Sequence, residues 1–222
     1  MERIGRRQRR RGFFFGLDLR DNEETSVNTI RLRVSYGVAL VFLATRPVSG
    51  VEPFKIALRF ISDKEVKPET GALTATPFAV GEVGDARGLP DASVVGESQA
   101  KLHASRPVVS LTPVTEFVDH ALRASLTEWK ANVKDDAGLT LRCEILQLQV
   151  MEQHRVTVDA RFRFSLVNHA GETVWKDEVA GDDGVWGGSL SEKNYLQAFS
   201  TATKRALADL FDKTGFRGAV KP

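Results

Sequence analysis

Residues 156–166 constrain this chain more than any other stretch. Val156, Val158, Ala160, Phe162, Phe164 and Leu166 alternate without a slip against Thr157, Asp159, Arg161, Arg163 and Ser165. Successive side chains of a strand point to opposite faces, so the pattern is a strand with one apolar and one polar face. Such a strand cannot stand alone. Its apolar face needs neighbours in a sheet and a covering layer. The neighbours are legible on both sides. Leu139, Leu141, Cys143 and Ile145 share one face; then the phase flips, and Leu146, Leu148 and Val150 carry the pattern on. One extra residue in an alternation is what a β-bulge inserts. Asn168-His169-Ala170-Gly171 reads as a turn, and Thr173, Trp175 and Val179 share a face of the next strand. Short connections make these three strands an antiparallel meander.

Two amphipathic helices supply the cover. Thr112 is the predicted N-cap of the first, with Pro113 at its first position. Val114, Phe117, Val118, Ala121, Leu122, Leu126 and Trp129 recur at helical spacing. Asn132 is predicted to close this helix in the left-handed conformation. The second helix opens on the capping box Ser189-Leu190-Ser191-Glu192. It buries Leu196, Phe199, Thr203, Ala206, Leu207, Leu210 and Phe211 and ends at Gly215. Nearer the start, Phe54, Ile56, Leu58 and Phe60 alternate with Lys55, Ala57 and Arg59. Phe78 to Val83 forms another strand, which runs out at Asp85-Ala86-Arg87-Gly88-Leu89-Pro90. Residues 91–111 are ambiguous, with short edge-like pieces around Ser93–Val95 and Pro107–Leu111. The order is β-β-α-β-β-β-α. The expected class is α+β: a two-layer sandwich, mainly antiparallel sheet, with two amphipathic helices on one face.

Residues 51–222 are therefore expected to form a single α+β domain, and residues 1–50 read differently. An eleven-residue apolar run, Val34 to Ala44, follows Arg31 and Arg33 and precedes Val48-Ser49-Gly50. A basic flank, a short apolar stretch and small residues at a cut site are the grammar of a secretory signal. The run is shorter than the roughly 20 residues that span a bilayer. The charge is divided at the same place. The whole chain carries +2, but residues 1–50 hold ten Arg and five acids, leaving 21 basic and 24 acidic residues after Gly50. The domain thus has no general electrostatic reason to seek phosphate backbones, and no nucleic-acid partner is expected. The Arg-rich start is open to three readings: a long basic n-region, sequence upstream of the true start, or a basic arm.

The order of elements, with particular residues, resembles the YajG-like lipoproteins of bacterial envelopes. The matching places are a strand ending in Asp85-Ala86-Arg87 followed by Val94-Val95-Gly96, and the helix in which Leu122, Leu126 and Trp129 precede a turn. A strand pair, an acidic-glycine stretch and a closing helix with Ala206, Leu207 and Leu210 complete the likeness, over about residues 54–212. The resemblance implies an envelope location and a small sandwich. Two residues depart from it. Arg46, not a Cys, follows the small-residue box Leu43-Ala44-Thr45, so that position offers no thiol for a lipid. Asn132 stands where such proteins often have Gly.

Chemistry-bearing constellations are sparse. His103, His120, His154 and His169 show no metal-ligand spacing, and no nucleophile elbow or phosphate-cradling loop occurs. Asp182-Asp183-Gly184 lacks the further ligands of a calcium loop. No catalytic residue, metal or cofactor is expected. Cys143, in phase with aliphatic neighbours, is expected to be a buried, inert thiol. The candidate binding residues are Trp186, Asp85, Arg87, Arg59, Arg161 and Arg163. Trp186 stands in a Gly-rich stretch outside any periodic face, and a loop aromatic suits a contact. Asp85 and Arg87, two apart at a strand end, suit a local ion pair or a functional contact. Arg59, Arg161 and Arg163 are placed on the polar outer face of the sheet, where an acidic or anionic envelope protein or polymer could pair with them. Three functional readings stand at this point. The leading one is a non-enzymatic secreted or periplasmic binding or accessory domain of the cell envelope, membrane-associated only through an uncleaved leader. The others are an envelope hydrolase and a cytoplasmic nucleic-acid-binding protein.

Overall fold

The structure, a computed structural model, describes residues 51–62, 64–69, 71, 75–99, 105–187 and 190–221. The Arg-rich start, the apolar run at 34–44, His103 and Ser189 lie outside the described residues. The chain runs β1 (Phe54–Ile56), β2 (Ala79–Asp85), β3 (Val94–Ser98), β4 (Arg106–Ser110), α1 (Val114–Glu128), β5 (Leu139–Glu152), β6 (Arg155–Asn168), β7 (Thr173–Trp186), α2 (Glu192–Asp212) and α3 (Thr214–Ala219). This is an α+β fold with one mixed sheet of seven strands. The spatial order is β1-β4-β3-β5-β6-β7, with β2 also beside β5.

The meander forms as the alternation requires. β5, β6 and β7 are each 14 residues long and pair antiparallel. The bulge falls at the phase flip: pairing steps from Ile145 opposite Phe162 to Gln147 opposite Arg161, leaving Leu146 out. β6 takes one whole edge of β5, and two short strands divide the other. β2 runs parallel beside Thr140–Ile145, and β3 runs parallel beside Val150–Glu152. β5 therefore changes neighbour across its own bulge.

The expected order lacked two strands and a helix. β3 and β4 are five residues each and contain Gly96 and Pro107, so no alternation runs long enough to declare them. The sheet is also less antiparallel than expected, because β1–β4, β2–β5 and β3–β5 are parallel pairs. Parallel neighbours need a long crossover. Here the chain leaves β3, passes through β4 and α1, and re-enters beside β3 as β5 in the same direction. β3 comes unusually close to β5. Gly96 has φ +139°, and a Cβ there would lie 1.9 Å from the Val150 carbonyl oxygen, so only glycine fits.

The helix ends also differ from expectation. α1 starts at Val114 with Pro113 as its cap, one residue late. The left-handed residue after it is Lys130 (φ 57°) and not Asn132. The Ala131 N–H donates to the Leu126 carbonyl (2.9 Å) and the Lys130 N–H to the Thr127 carbonyl (3.1 Å), the paired bonds of a Schellman ending. α2 starts after Ser191, two residues later than the expected box would place it, and the Ser191 side chain makes no capping bond. Gly215 lies within α3, and the break falls at Lys213, whose ψ of 120° is extended.

One core joins the elements. Phe162, Phe164, Phe117, Phe199 and Leu207 belong to a single buried cluster. Phe117 of α1 meets Phe199 of α2 edge-on at 6.3 Å between ring centroids. α3 adds Phe216, packed against Trp175 at 5.2 Å and Phe211 at 5.3 Å. α2 lies very close on β7, because a Cβ at Gly181 would be 2.3 Å from the Ala202 carbonyl oxygen.

Residues 57–62 and 64–69 form a strap over the helices. Burial still alternates through Ile56, Leu58 and Phe60, although the ladder stops at Ile56. The Ile61 N–H donates to Ser200 Oγ (3.0 Å), and the Glu69 N–H donates to an Asp212 carboxylate oxygen (3.2 Å). Lys204 Nζ donates to Ser62 Oγ (2.7 Å) and to both Glu128 oxygens (2.8 Å each). Ser200, Lys204 and Asp212 share one row of α2 at multiples of four residues. Burial works against the Glu128 charge, but the bonds from Lys204 and Ser62 outweigh it and hold its carboxyl below the usual value.

Two substitutions test this packing. Phe164→Ala should lower the unfolding free energy by about 3–5 kcal/mol in a urea titration. Gly181→Ala should cost about 1–3 kcal/mol, because β7 or α2 must shift to admit the methyl group. A neutral result at either site would contradict the packing of α2 on the sheet.

Candidate functional site

The six candidate residues fall in three places. Asp85 ends β2, and Arg87 stands two residues on, in the connection to β3. The Arg87 side chain is 3% exposed. Its Nε donates to Asp85 Oδ1 (2.9 Å), and one terminal nitrogen donates to Asp85 Oδ2 (2.8 Å) and to the Ala92 carbonyl (2.6 Å). The other terminal nitrogen donates to the Val94 carbonyl (3.1 Å). The guanidinium thus stitches the end of β2 to the start of β3. Hydrogen bonds from Arg87 hold the Asp85 carboxyl below its usual value, against a smaller opposing effect of burial. All the donors named here are directed into the protein.

The arginines of the polar face are not gathered together. Arg163 of β6 lies in register between Glu144 of β5 and Glu178 of β7, with contacts of 3.2 and 2.8 Å. It is spent on a cross-strand row. Arg161 faces Gln147 and Ala180 and is exposed, with no ion pair among the described residues. Arg59 follows β1, which stands four strands from β6, about 19 Å at the usual strand spacing.

Trp186 is the last residue of β7, not a loop residue, and lies opposite Arg155 at the start of β6. It is 71% exposed. The Arg155 guanidinium carbon sits 5.8 Å from its ring centroid, within cation–π range. A Cβ at Gly184 would come within 3.3 Å of that guanidinium, so the glycine leaves room for Arg155 to reach across. The sequence concealed this strand because two inward positions of β7 are not apolar. Gly181 lies under α2. Asp183, whose side chain is 4% exposed, takes Lys64 (2.7 Å) and Arg205 (3.1 Å).

Beneath this end of the sheet lies a buried polar cluster that sequence reasoning missed. Glu152 is 2% exposed. It accepts bonds from Ser98 Oγ (2.5 Å), the Tyr195 hydroxyl (2.7 Å) and the Leu190 N–H (3.0 Å). Burial first, and then the Glu152 bond, push the Tyr195 phenol up. The signal was available: Glu152 continues the inward phase of Leu148 and Val150. Cys143 is 2% exposed, and burial with the nearby Glu144 carboxylate pushes its thiol up. Among the described residues, no group of three or more His, Cys, Asp or Glu is placed to hold a metal ion. None of their helices is long and apolar enough to cross a membrane.

No family model matches the chain, and no curated protein matches it. Solved structures overlap it in part. One is a Xanthomonas campestris protein described as DUF330, at 14% identity over 76% of this chain and 95% of that one, with a TM-score of 0.48. Another is a hypothetical protein of Chlamydia trachomatis, at 10% identity over 65% and 98%, TM-score 0.45. A minor lipoprotein of Acinetobacter baumannii overlaps at 12% identity over 64% and 94%, TM-score 0.31.

The Arg87 stitch predicts an acid sensitivity. A depressed Asp85 contributes stability above its unfolded pKa, near 3.9, and loses it as pH falls through its lower folded value. The gap in urea midpoint between wild type and Asp85→Asn should therefore be wide at neutral pH and narrow below about pH 4. A gap that does not change with pH would show that the carboxylate charge is not what Arg87 requires.

Proposed function

We propose that this chain is a non-catalytic binding module of the bacterial cell envelope, exported by its N-terminal segment and related to the YajG-like lipoproteins. The observation that carries the binding role is the Trp186–Arg155 pair. A large aromatic, most of its surface in water, is held by a guanidinium at the end of two long paired strands. Exposed Trp and Arg are among the side chains that most often anchor recognition, and Trp buries a large area with few rotamers to order. The rigid meander supports the pair from behind, and the buried Glu152 cluster fixes the backbone beneath it. The envelope location draws on the leader pattern of residues 31–50. The expected partner is an envelope protein or polymer that covers the indole and offers the guanidinium an acceptor.

The test is capture from envelope extract with wild type, Trp186→Ala and Arg155→Ala, beside sequencing of the mature N-terminus. Both variants should keep the wild-type melting temperature to within a few degrees, because an exposed cation–π pair is worth only about 0.5–1 kcal/mol. Both should lose the captured partner. Retention of every partner by both variants would overturn the binding role. A mature chain starting near Met1 would overturn export.

A further inference from the structure

We infer that the outer edge of β2 receives an extended basic peptide of a partner protein, added as a further strand in the groove between β2 and α1. This goes beyond the tryptophan tip and does not depend on it. β2 pairs with β5 along one edge only, and among the described residues no strand covers the other. An uncovered edge presents unpaired N–H and C=O groups at every second residue, a template for pairing.

The sheet's other open strands are protected in ways that β2 is not. β1 has three residues, too few to template a strand. β7 bristles with Lys176, Asp177, Glu178 and Asp182, all exposed, and charges along an edge discourage pairing. β2 has seven residues and spans about 23 Å. Its charged members are Glu82 and Asp85, and Asp85 is spent on Arg87.

The space beside that edge is already open. A groove of about 630 Å³ has Val80, Gly81, Glu82 and Val83 on one wall and Thr115, Glu116 and Asp119 of α1 among those on the other. Its charge selects the occupant. Asp119 is paired with Arg123 at 3.0 Å. Glu82 and Glu116 are exposed, one on each wall, and neither has an ion pair among the described residues. A strand with Lys or Arg at alternate positions would satisfy the edge through its main chain and these carboxylates through its side chains. The bulge between Val80 and Val83 bends the edge. That disfavours a flat strand of a second copy and suits a peptide free to follow the bend.

The probe is a synthetic nine-residue peptide of alternating Lys and Val, titrated into the full chain by calorimetry. It should bind saturably, and the double variant Glu82→Lys/Glu116→Lys should bind it at least about tenfold more weakly. N-methylation of alternate peptide amides, which removes main-chain donors and keeps the charge, should abolish binding. Trp186→Ala should bind it like wild type, which separates this site from the tip. Undiminished binding of the N-methylated peptide would overturn strand addition. Equal binding of a Glu/Val peptide would overturn the basic class. No binding, or dimers of the chain that block binding and that Glu82→Lys dissolves, would overturn the proposal outright.

Discussion

The fold depends on one strand having two neighbours on the same edge. β5 is long enough to serve β2 with its first half and β3 with its second. The bulge at Leu146 lies between the two and bends the strand where its partner changes. Two residues secure the seam. Arg87 ties the end of β2 to the carbonyls that lead into β3. Gly96 lets β3 lie against Val150 at a distance that no side chain would allow. Without either, the sheet would be a plain meander with a loose N-terminal third.

Three buried charged residues are each bound in a set at a junction between elements. Lys204 joins α2 to α1 and the strap. Asp183 joins β7 to the strap and α2. Glu152 joins β5 to β3 and α2. A buried charge is costly unless its partners are complete, so each set tolerates few arrangements of its neighbours. Apolar packing holds these elements together, and the polar sets determine their register. This is a physical account of why Lys204, at 2% exposed, can sit on the buried side of a helix that also buries Ala, Leu and Phe.

The meander and both main helices were legible because their periods are long and regular, and even the bulge could be read from the Ile145–Leu146 phase change. β3 and β4 were not legible. Five residues interrupted by Gly96 or Pro107 carry no period, and parallel pairing leaves no trace in alternation. The end of β7 was hidden by Gly181 and Asp183, which face inward for reasons of close approach and ion pairing. Of the candidate residues, Asp85 and Arg87 were read correctly as neighbours at a strand end, but Arg87's burial depends on Ala92 and Val94, which no local pattern connects to it. The three outer arginines shared a polarity, not a place: Arg163 is occupied by Glu144 and Glu178, and Arg59 is far across the sheet. The β2 groove exists only once α1 packs beside it, so no stretch of sequence contains it.

The order of strands in space has a consequence in time. β1 to β4 are made first, and β3 can pair at once with β4, yet β2 has no strand to join until β5 has been synthesised, more than fifty residues after β2 ends. Contacts so distant along the chain close slowly, because the intervening loop must give up its freedom before any pairing rewards it. The meander, built from adjacent segments, can form early. The first third of the domain then assembles onto it from behind. A growing chain would thus carry β2 unpaired for longer than any other strand, and anything that holds extended segments would find it first.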